Sequence, residues 1–297
     1  MTEQAIDIAL GFDANYAPHA GVVVTSIVAN ARGARLRFIM LHPGIDAVTR
    51  GRVEATAPGA KFVWVTVGDD DLPAYATRGH LTRAVLFRLG LEKLAPGNCK
   101  RLIFVDCDMV VLGDIRELWE IDLGGRALGA VVDCYQDAAE FAQLWGLAVD
   151  GARYFNAGLQ VIDLEQVRRK RLFSAALAFV VANDEKLLFG DQDALNYVFW
   201  GRWAELDPAW NVQRYLKPRE ISAAGWRRSS PALIHFVGMH KPWMPDVWHP
   251  WAWLYWRYAR QTPFAQEVAA ANKMNFYQQM RLKLRWWLRR PSTGRAA

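Results

Sequence analysis

The sequence predicts an α/β fold in one principal domain, built on a parallel, Rossmann-like sheet covered by helices. Three observations carry that expectation. Apolar runs of strand length alternate with stretches of helical periodicity over the first 110 residues. Residues 102–105 (LIFV) are apolar throughout, as a strand buried on both faces must be. A chain of 297 residues with 52% hydrophobic and 22% charged side chains can bury a sizeable core.

Residues 5–12 (AIDIALGF) form the first strand, which runs into a polar turn at Asp13, Asn15 and Tyr16. Pro18 then leads into a helix over residues 20–30, the opening of a βαβ unit. Residues 35–41 alternate and stop at His42-Pro43-Gly44, a second strand and turn. Asp46 suits the N-cap of a helix to Ala57. Residues 61–67 are a third strand, 69–73 an acidic turn, and 82–94 a helix with Val85, Leu86, Leu89 and Leu94 near one face. Short strands follow at 128–132 and 154–164, the first ending at Asp133. Residues 164–183 predict one basic-faced helix, 190–196 open another, and 232–243 (ALIHFVGMHKPW) pass from a short strand into a loop.

Several function classes drop out. Neither GxGxxG after the first strand nor GxxxxGK[ST] occurs, so the dinucleotide fingerprint and the P-loop are both missing. Cys99, Cys107 and Cys134 are too few and too unevenly spaced for a disulfide framework or a CxxC metal site, and they suggest a reducing compartment. The N-terminus carries acids where a signal peptide has a basic start, and no apolar run reaches the roughly 20 residues of a membrane span. The net charge of +6 is local: from Lys273 onward there are seven Lys and Arg and no acid, leaving 29 basic against 30 acidic residues in the body. With a neutral body and no binding fold beside the basic tail, nucleic acid is not an expected partner. Many of the 14 Trp fall between Trp200 and Trp256; most are expected to fill core, although Trp also serves sugar stacking and membrane surfaces.

Residues 101–112 (RLIFVDCDMVVL) place two carboxylates, Asp106 and Asp108, at the end of the buried run. Unpaired carboxylates are costly there, so they must be solvated, protonated or neutralised by a cation. In extended chain residues i and i+2 point to one side, so the pair could converge on one ion, and oxygen ligands favour Mg²⁺, Mn²⁺ or Ca²⁺. Asp-x-Asp is also common in solvated turns. What gives this pair weight is its place beyond the carboxyl end of a parallel strand, where open α/β sheets bind ligands.

The ordered series Asp13-x-Asn15-Tyr16, Arg88 in FRLGL, Asp106-Cys107-Asp108, Asn156-Ala157-Gly158, Asp191-Gln192-Asp193 and His235-x-x-Gly238-x-x-Lys241-Pro242-Trp243 resembles glycosyltransferase family 8. These are retaining enzymes of the GT-A fold, and the likeness is greatest to the bacterial lipopolysaccharide galactosyl- and glucosyltransferases. It spans residues 6–243, with Ala14 where relatives often carry a second acid and Gly11 where they often carry alanine. The resemblance implies a mixed central sheet flanked by helices in a GT-A domain over residues 1–265. It also implies transfer of a hexose from UDP-galactose or UDP-glucose to a saccharide or glycolipid acceptor. Gly11, Asp13, Asn15 and Tyr16 would be the uridine-binding start, Arg88 a donor-binding residue, and Asn156 and Ala157 part of the sugar site. His235 would join Asp106 and Asp108 as the third metal ligand, and an imidazole beside carboxylates favours Mn²⁺ over Mg²⁺.

A divalent cation on the diphosphate would stabilise the charge that develops as it leaves. Lys241 adds a point charge for that group, and Gly238 lets backbone approach it. Arg88, Asp133, Asn156, Asp191 and Gln192 would surround the sugar, Asp191 by binding a hydroxyl or by capping the helix that begins there. Asp191 and Gln192 are the candidate catalytic residues. A double displacement would require Gln192 as nucleophile; an amide is a poor one, so internal return is preferred, with the acceptor attacking the face that the phosphate vacates and the phosphate taking its proton. His80 could place the acceptor and Asp133 the donor. A metal-dependent nucleotidyl or phosphoryl transferase would share the paired carboxylates, but LGFDANYAPHAG is not a basic phosphate loop. A non-catalytic carbohydrate-binding protein would have no need of a metal.

Residues 266–297 are expected to form a separate basic, aromatic tail. At about 100° per residue, Phe276, Tyr277, Met280, Leu284, Trp287 and Leu288 share one side of a helix. Arg281 and Arg285 flank that side on one edge, Lys283 and Arg290 on the other, while Leu282 and Trp286 lie outside it. Such a helix suits an anionic membrane surface, its stripe in the interface and its long cations reaching headgroups; the competing expectation is a helix packed on the body. Attachment would put a cytoplasmic enzyme on the inner face of the cytoplasmic membrane.

Overall fold

The computed structural model describes residues 5–72, 83–151, 153–213, 230–245, 247 and 249–272, with Tyr277, Met280, Arg281 and Leu284 farther along. Among the described residues the strands are β1 Ile6–Gly11, β2 Leu36–His42, β3 Lys61–Thr66, β4 Arg101–Val105, β5 Met109–Val111, β6 Leu128–Val132, β7 Phe155–Asp163, β8 Ala204–Glu205 and β9 Leu233–His235. The α-helices are α1 Ala17–Asn30, α2 Ala47–Glu54, α3 Phe87–Leu94, α4 Ile115–Trp119, α5 Ala138–Trp145, α6 Leu164–Lys170, α7 Leu172–Asn183, α8 Asp191–Phe199, α9 Ala252–Ala259 and α10 Ala265–Asn272.

Seven strands form one sheet in the order β3-β2-β1-β4-β7-β6-β8. β1, β2, β3 and β4 are mutually parallel, as the alternation predicts. β7 runs antiparallel between β4 and β6, so the whole sheet is mixed. Strand order reverses between β1 and β4. That reversal opens the crevice at their carboxyl ends, with Asp13 beyond one strand and Asp106 beyond the other.

Alternation along each strand divides the core in two. Ile8 and Leu10 of β1, Phe38 and Met40 of β2, and Ile103 and Val105 of β4 face α1 with its Val22, Val23 and Ile27. Ala9, Ile39, Leu41, Leu102 and Phe104 face the other way, against α3, α7 and α8 through Phe87, Leu91, Phe173, Val180 and Leu195. Each such side chain taken from water contributes about 1.5–3 kcal/mol, which makes the central strands a rigid floor under the crevice. A second, two-stranded sheet pairs β5 with β9 antiparallel, Met109 opposite His235.

The single helix expected over residues 164–183 is two. The chain breaks at Arg171, a non-glycine residue in the left-handed region at φ 53°. The cause is tertiary. Glu92 of α3 accepts the backbone N–H groups of Phe173 (2.8 Å) and Ser174 (3.2 Å), capping α7 from outside. Arg168 at the end of α6 donates to the carbonyls of Glu92, Ala95 and Cys99. Elsewhere the local readings agree closely: β6 covers residues 128–132, and Asp46 caps α2 by accepting from Thr49 N. α10 packs on the body through the buried Val268 and Asn272, the latter donating to the carbonyl of Met244 at 3.1 Å.

Candidate active site

Asp106 and Asp108 follow β4 directly, but Cys107 and Asp108 form a turn and not the extended segment expected. The carboxylates converge because backbone on both sides is pinned: Asp106 N–H donates to the carbonyl of Gly158 (2.9 Å) and Phe236 N–H to that of Asp108 (2.9 Å). The register of β5 with β9 then sets His235 beside them, far away in sequence. One ligand atom from each of Asp106, Asp108 and His235 lies within 4.8 Å of the others.

This donor set fits a divalent cation. Asp108 Oδ1 is buried without a hydrogen-bond partner, although His235 Nε2 lies 3.2 Å away. The other ring nitrogen, Nδ1, is 3.0 Å from Asn211 Oδ1, an acceptor, so in the neutral ring the proton sits on Nδ1 and Nε2 presents the lone pair. A carboxylate oxygen and an imidazole lone pair facing each other in a buried site repel unless a cation lies within reach of both.

Two side-chain cations hold the remaining carboxylate oxygens. Arg88, 6% exposed, donates to Asp106 Oδ1 at 2.8 Å, pairs with Asp191 Oδ2 at 2.6 Å through Nε, and also donates to the carbonyl of Ala157. Its guanidinium lies over the Phe104 ring, 4.5 Å from the centroid. Lys241 Nζ sits 2.5 Å from Asp108 Oδ2 and 2.6 Å from the carbonyl of Phe236. Burial pushes Asp108 up, but Lys241 and His235 together outweigh it and hold this carboxyl well below the ordinary range. Burial raises Asp106 despite Arg88, and it raises Asp191 to about 7.

Asp191, Gln192 and Asp193 open α8, and the structure separates their tasks. Of the two roles open to Asp191, capping is not the one seen: Gly190 is the N-cap residue, and Asp191 pairs with Arg88. Asp193 accepts the N–H groups of Leu188 and Phe189 (2.8 and 2.9 Å) and the Tyr154 hydroxyl (2.6 Å). Gln192 is tied at both ends, Oε1 accepting from Ala157 N at 2.9 Å and Nε2 donating to Asp133 Oδ2 at 3.2 Å. Asp133 also accepts from Tyr135 N, Gln136 N and Asn156 Nδ2. Between the two halves of the β6–β7 pairing the register shifts, and the shift places Asn156, Ala157 and Gly158 at the floor of the crevice.

At the other wall, Asp13 accepts from Asn15 N (3.0 Å) and Tyr16 N (3.2 Å) in a short 3₁₀ turn that leaves Tyr16 36% exposed. Tyr16 is edge-on to Trp243, and His19 stacks on Trp243 at 3.7 Å while its Nδ1 meets the Tyr255 hydroxyl at 2.7 Å. This aromatic stack brings the Lys241-Pro242-Trp243 segment against the first turn. Gly238 stands at φ 74°, a conformation open to glycine, and a Cβ at Gly11 would come within 3.0 Å of Phe87 Cβ.

The sequence profile of glycosyl transferase family 8 matches residues 7–246. The chain belongs to that family. It is 31% identical to general stress protein A of Bacillus subtilis over 84% of this chain and 91% of that protein. It is 29% identical to the lipopolysaccharide 1,2-glucosyltransferase of Escherichia coli, over 84% and 75%. Among solved structures, the galactosyltransferase LgtC in complex with donor and acceptor sugar analogues superposes with a TM-score of 0.75 at 26% identity, covering 87% of this chain and 96% of LgtC.

This glycosyltransferase therefore has the GT-A architecture. Contacts join Arg88, Asp106, Asp108, Asp133, Asn156, Ala157, Asp191, Gln192, His235 and Lys241 at the crevice, while Gly11 ends β1, Asp13, Asn15 and Tyr16 form the turn beyond it, and Gly238 lies in the loop between His235 and Lys241. His80 lies outside the described residues. Sequence reasoning missed Asn211, the partner of His235, and His19, the ring beneath Trp243. His19 stands three residues after Tyr16 on a helix start and could have been found there; nothing local marks Asn211.

Proposed function

We propose that the chain transfers galactose or glucose from a UDP-sugar, with retention, to a saccharide acceptor of lipopolysaccharide core or another lipid-linked glycan. Mn²⁺ is the proposed cofactor, held by Asp106, Asp108 and His235, with Mg²⁺ as the weaker substitute. The observation that carries the reading is the carboxylate–carboxylate–imidazole triad with His235 Nε2 turned inward and two side-chain cations at its rim. When bound, the ion would supply Lewis-acid stabilisation of the departing diphosphate. Lys241 adds charge to the same group, the Asp13–Tyr16 turn accommodates base and ribose, and Asp191 with Asn156 orients the sugar. Gln192 positions and does not attack, because both ends of its amide are engaged. Its engagement favours internal return, in which the acceptor oxygen bonds to the anomeric carbon on the face the phosphate leaves and the phosphate takes the acceptor proton.

The test is UDP release from a panel of UDP-hexoses with and without Mn²⁺. Wild type should be metal-dependent, with one hexose fastest, and Asp108→Ala should fold without turning over. Undiminished transfer by a folded Asp108→Ala protein would sink the metal assignment.

We further propose that the basic tail attaches the enzyme to an anionic membrane surface on the cytoplasmic side, near a lipid-linked acceptor. Supporting this, Tyr277, Met280 and Leu284 fall on one side of a helix and are 76, 46 and 56% exposed. The other residues of the expected stripe lie outside the described residues. No helix among the described residues is long and apolar enough to cross a membrane. Each basic residue near an anionic leaflet adds about 1 kcal/mol. Vesicle sedimentation decides it: the full chain should bind anionic vesicles in a salt-sensitive way and a chain ending near Ala270 should not, while equal behaviour of the two rejects the tail as anchor.

A further inference from the structure

We propose that Asn211 is a positioning residue for His235, oriented from Asp133 through Asn156, so that a chain of one-way hydrogen bonds turns the His235 lone pair toward the cation site. The inference rests on reading Asp106, Asp108 and His235 as that site.

The chain begins at Asp133, whose Oδ1 accepts from the backbone N–H groups of Tyr135 (2.8 Å) and Gln136 (3.2 Å). Its Oδ2 accepts from Asn156 Nδ2 (3.0 Å) and Gln192 Nε2 (3.2 Å). A carboxylate that accepts four hydrogen bonds demands a donor from Asn156, so the NH₂ of Asn156 must face it. Gly158 N–H fixes the same orientation independently by donating to Asn156 Oδ1 at 3.1 Å. That oxygen also receives Asn211 Nδ2 at 2.9 Å, which forces the NH₂ of Asn211 toward Asn156 and its carbonyl oxygen toward His235. At 3.0 Å from an acceptor, His235 Nδ1 must carry the proton. In the neutral ring Nε2 is then the bare nitrogen, 3.2 Å from the buried Asp108 Oδ1. Asp133, Asn156, Asn211 and His235 are each 2–6% exposed, so water is a poor substitute for any link. A metal-bound imidazole oriented by an acceptor on its other nitrogen typically owes 10–100-fold in metal affinity to that partner.

The experiment uses the full chain with ¹⁵N-labelled histidine, at a pH well above the ordinary imidazole range. Long-range ¹H–¹⁵N NMR reports the tautomer, with His235→Gln identifying the resonances, and Mn²⁺ is titrated in the presence of UDP. Metal-free wild type should show the proton on Nδ1. Asn211→Leu, close in volume but without the acceptor, should lose that preference and bind Mn²⁺ 10–100-fold more weakly. Asn211→Asp, which retains the acceptor for Nδ1 but loses the donor to Asn156 Oδ1, should keep the proton on Nδ1 and lose less Mn²⁺ affinity than Asn211→Leu. Wild-type His235 protonated on Nε2, or an Asn211→Leu protein with unchanged tautomer and Mn²⁺ affinity, would overturn the proposal. If wild type with UDP binds no Mn²⁺ at all, the metal reading fails, and the tautomers of the two variants still decide the relay.

Discussion

Replacing Gly158 by alanine should damage the cation site more than the fold. Gly158 has no unusual backbone angle, so the substitution acts through volume alone. A Cβ there would stand 2.4 Å from His235 Cε1, 2.6 Å from Met109 Cε and 2.9 Å from Asp106 Oδ2. Carbon atoms pack at about 3.5–4.0 Å, so something must yield by about 1 Å. Met109 can, since a thioether chain swings easily. His235 is held by Asn211 and by its place in β9, and Asp106 by Arg88. The overpacking should cost about 1–3 kcal/mol of stability. In a chain of this size that lowers Tm by about 2–4 °C per kcal/mol. Metal sites tolerate ligand shifts of about 0.2 Å, so a displacement of about 1 Å should cost far more in affinity, at least tenfold. Thermal denaturation and Mn²⁺ titration with UDP measure the two effects. Gly51→Ala, in α2 with nothing within 4 Å of the new Cβ, is the control and should be neutral or slightly stabilising. A folded Gly158→Ala protein whose Mn²⁺ affinity stays within twofold of wild type would refute the argument.

Three further outcomes follow from the same geometry. Lys241→Met frees the Asp108 oxygen that the ammonium holds at 2.5 Å, so nucleotide-free Mn²⁺ binding should tighten about tenfold while UDP binding weakens; metal binding that is unchanged or weaker in calorimetry rejects this. Asp191 is raised by burial from 3.8 to about 7, so between those values the folded chain holds a proton that the unfolded chain has released, and stability falls as pH rises through the window, by at most about 4 kcal/mol. Asp191→Asn should remove that fall, its Tm advantage over wild type widening from pH 4 to pH 7, and a constant difference would count against it. Gln192→Ala should retain transfer at roughly a tenth of the wild-type kcat, having lost two hydrogen bonds, whereas Asp191→Ala should lose more; a glycosyl adduct on Gln192 in intact-mass spectra would contradict the positioning role.

Legibility in the sequence followed the range of the forces involved. Strands β1, β2, β3 and β6 and the Asp46 cap rest on side chains within a few residues of one another, and periodicity finds them. The break at Arg171 depends on Glu92 reaching in from α3, which no window around residue 171 contains. Register is the other blind spot. That β7 is antiparallel, and that β9 lies on β5 so that His235 meets Asp108, are long-range pairings with no local trace. For the site, Asp106, Asp108 and Asp133 stood at the ends of expected strands and the ordered motifs, through resemblance, marked other side chains around the crevice, but neither marked His19 or Asn211. The bond partners were not legible: that Arg88 joins two carboxylates, that Gln192 spans Ala157 and Asp133, and that Asp191 does not cap its helix.

The two cations at the rim differ in how firmly they are held, and that difference assigns their work. Arg88 is fixed on every side, by Asp106, Asp191, the Ala157 carbonyl and the face of Phe104. A guanidinium so enclosed can shape Asp106 but can scarcely leave it. Lys241 has one carboxylate and one carbonyl as partners, on a flexible stem in a segment that passes through Gly238 at φ 74°. Arg88 and Lys241 face three carboxyl groups, Asp106, Asp108 and Asp191, and burial raises two of them, Asp106 and Asp191. A diphosphate adds more negative charge, and a divalent cation answers it. With a diphosphate in the crevice the ammonium would have a second anion to pair with, and its release of Asp108 Oδ2 would add a free oxygen beside the Oδ1 that faces His235 Nε2. Coupling of this kind is reciprocal: whatever the nucleotide does for metal affinity, the metal does for nucleotide affinity. On the function proposed above, Lys241 would be the side chain that couples donor and cation, while Arg88 holds Asp106 and Asp191 in place.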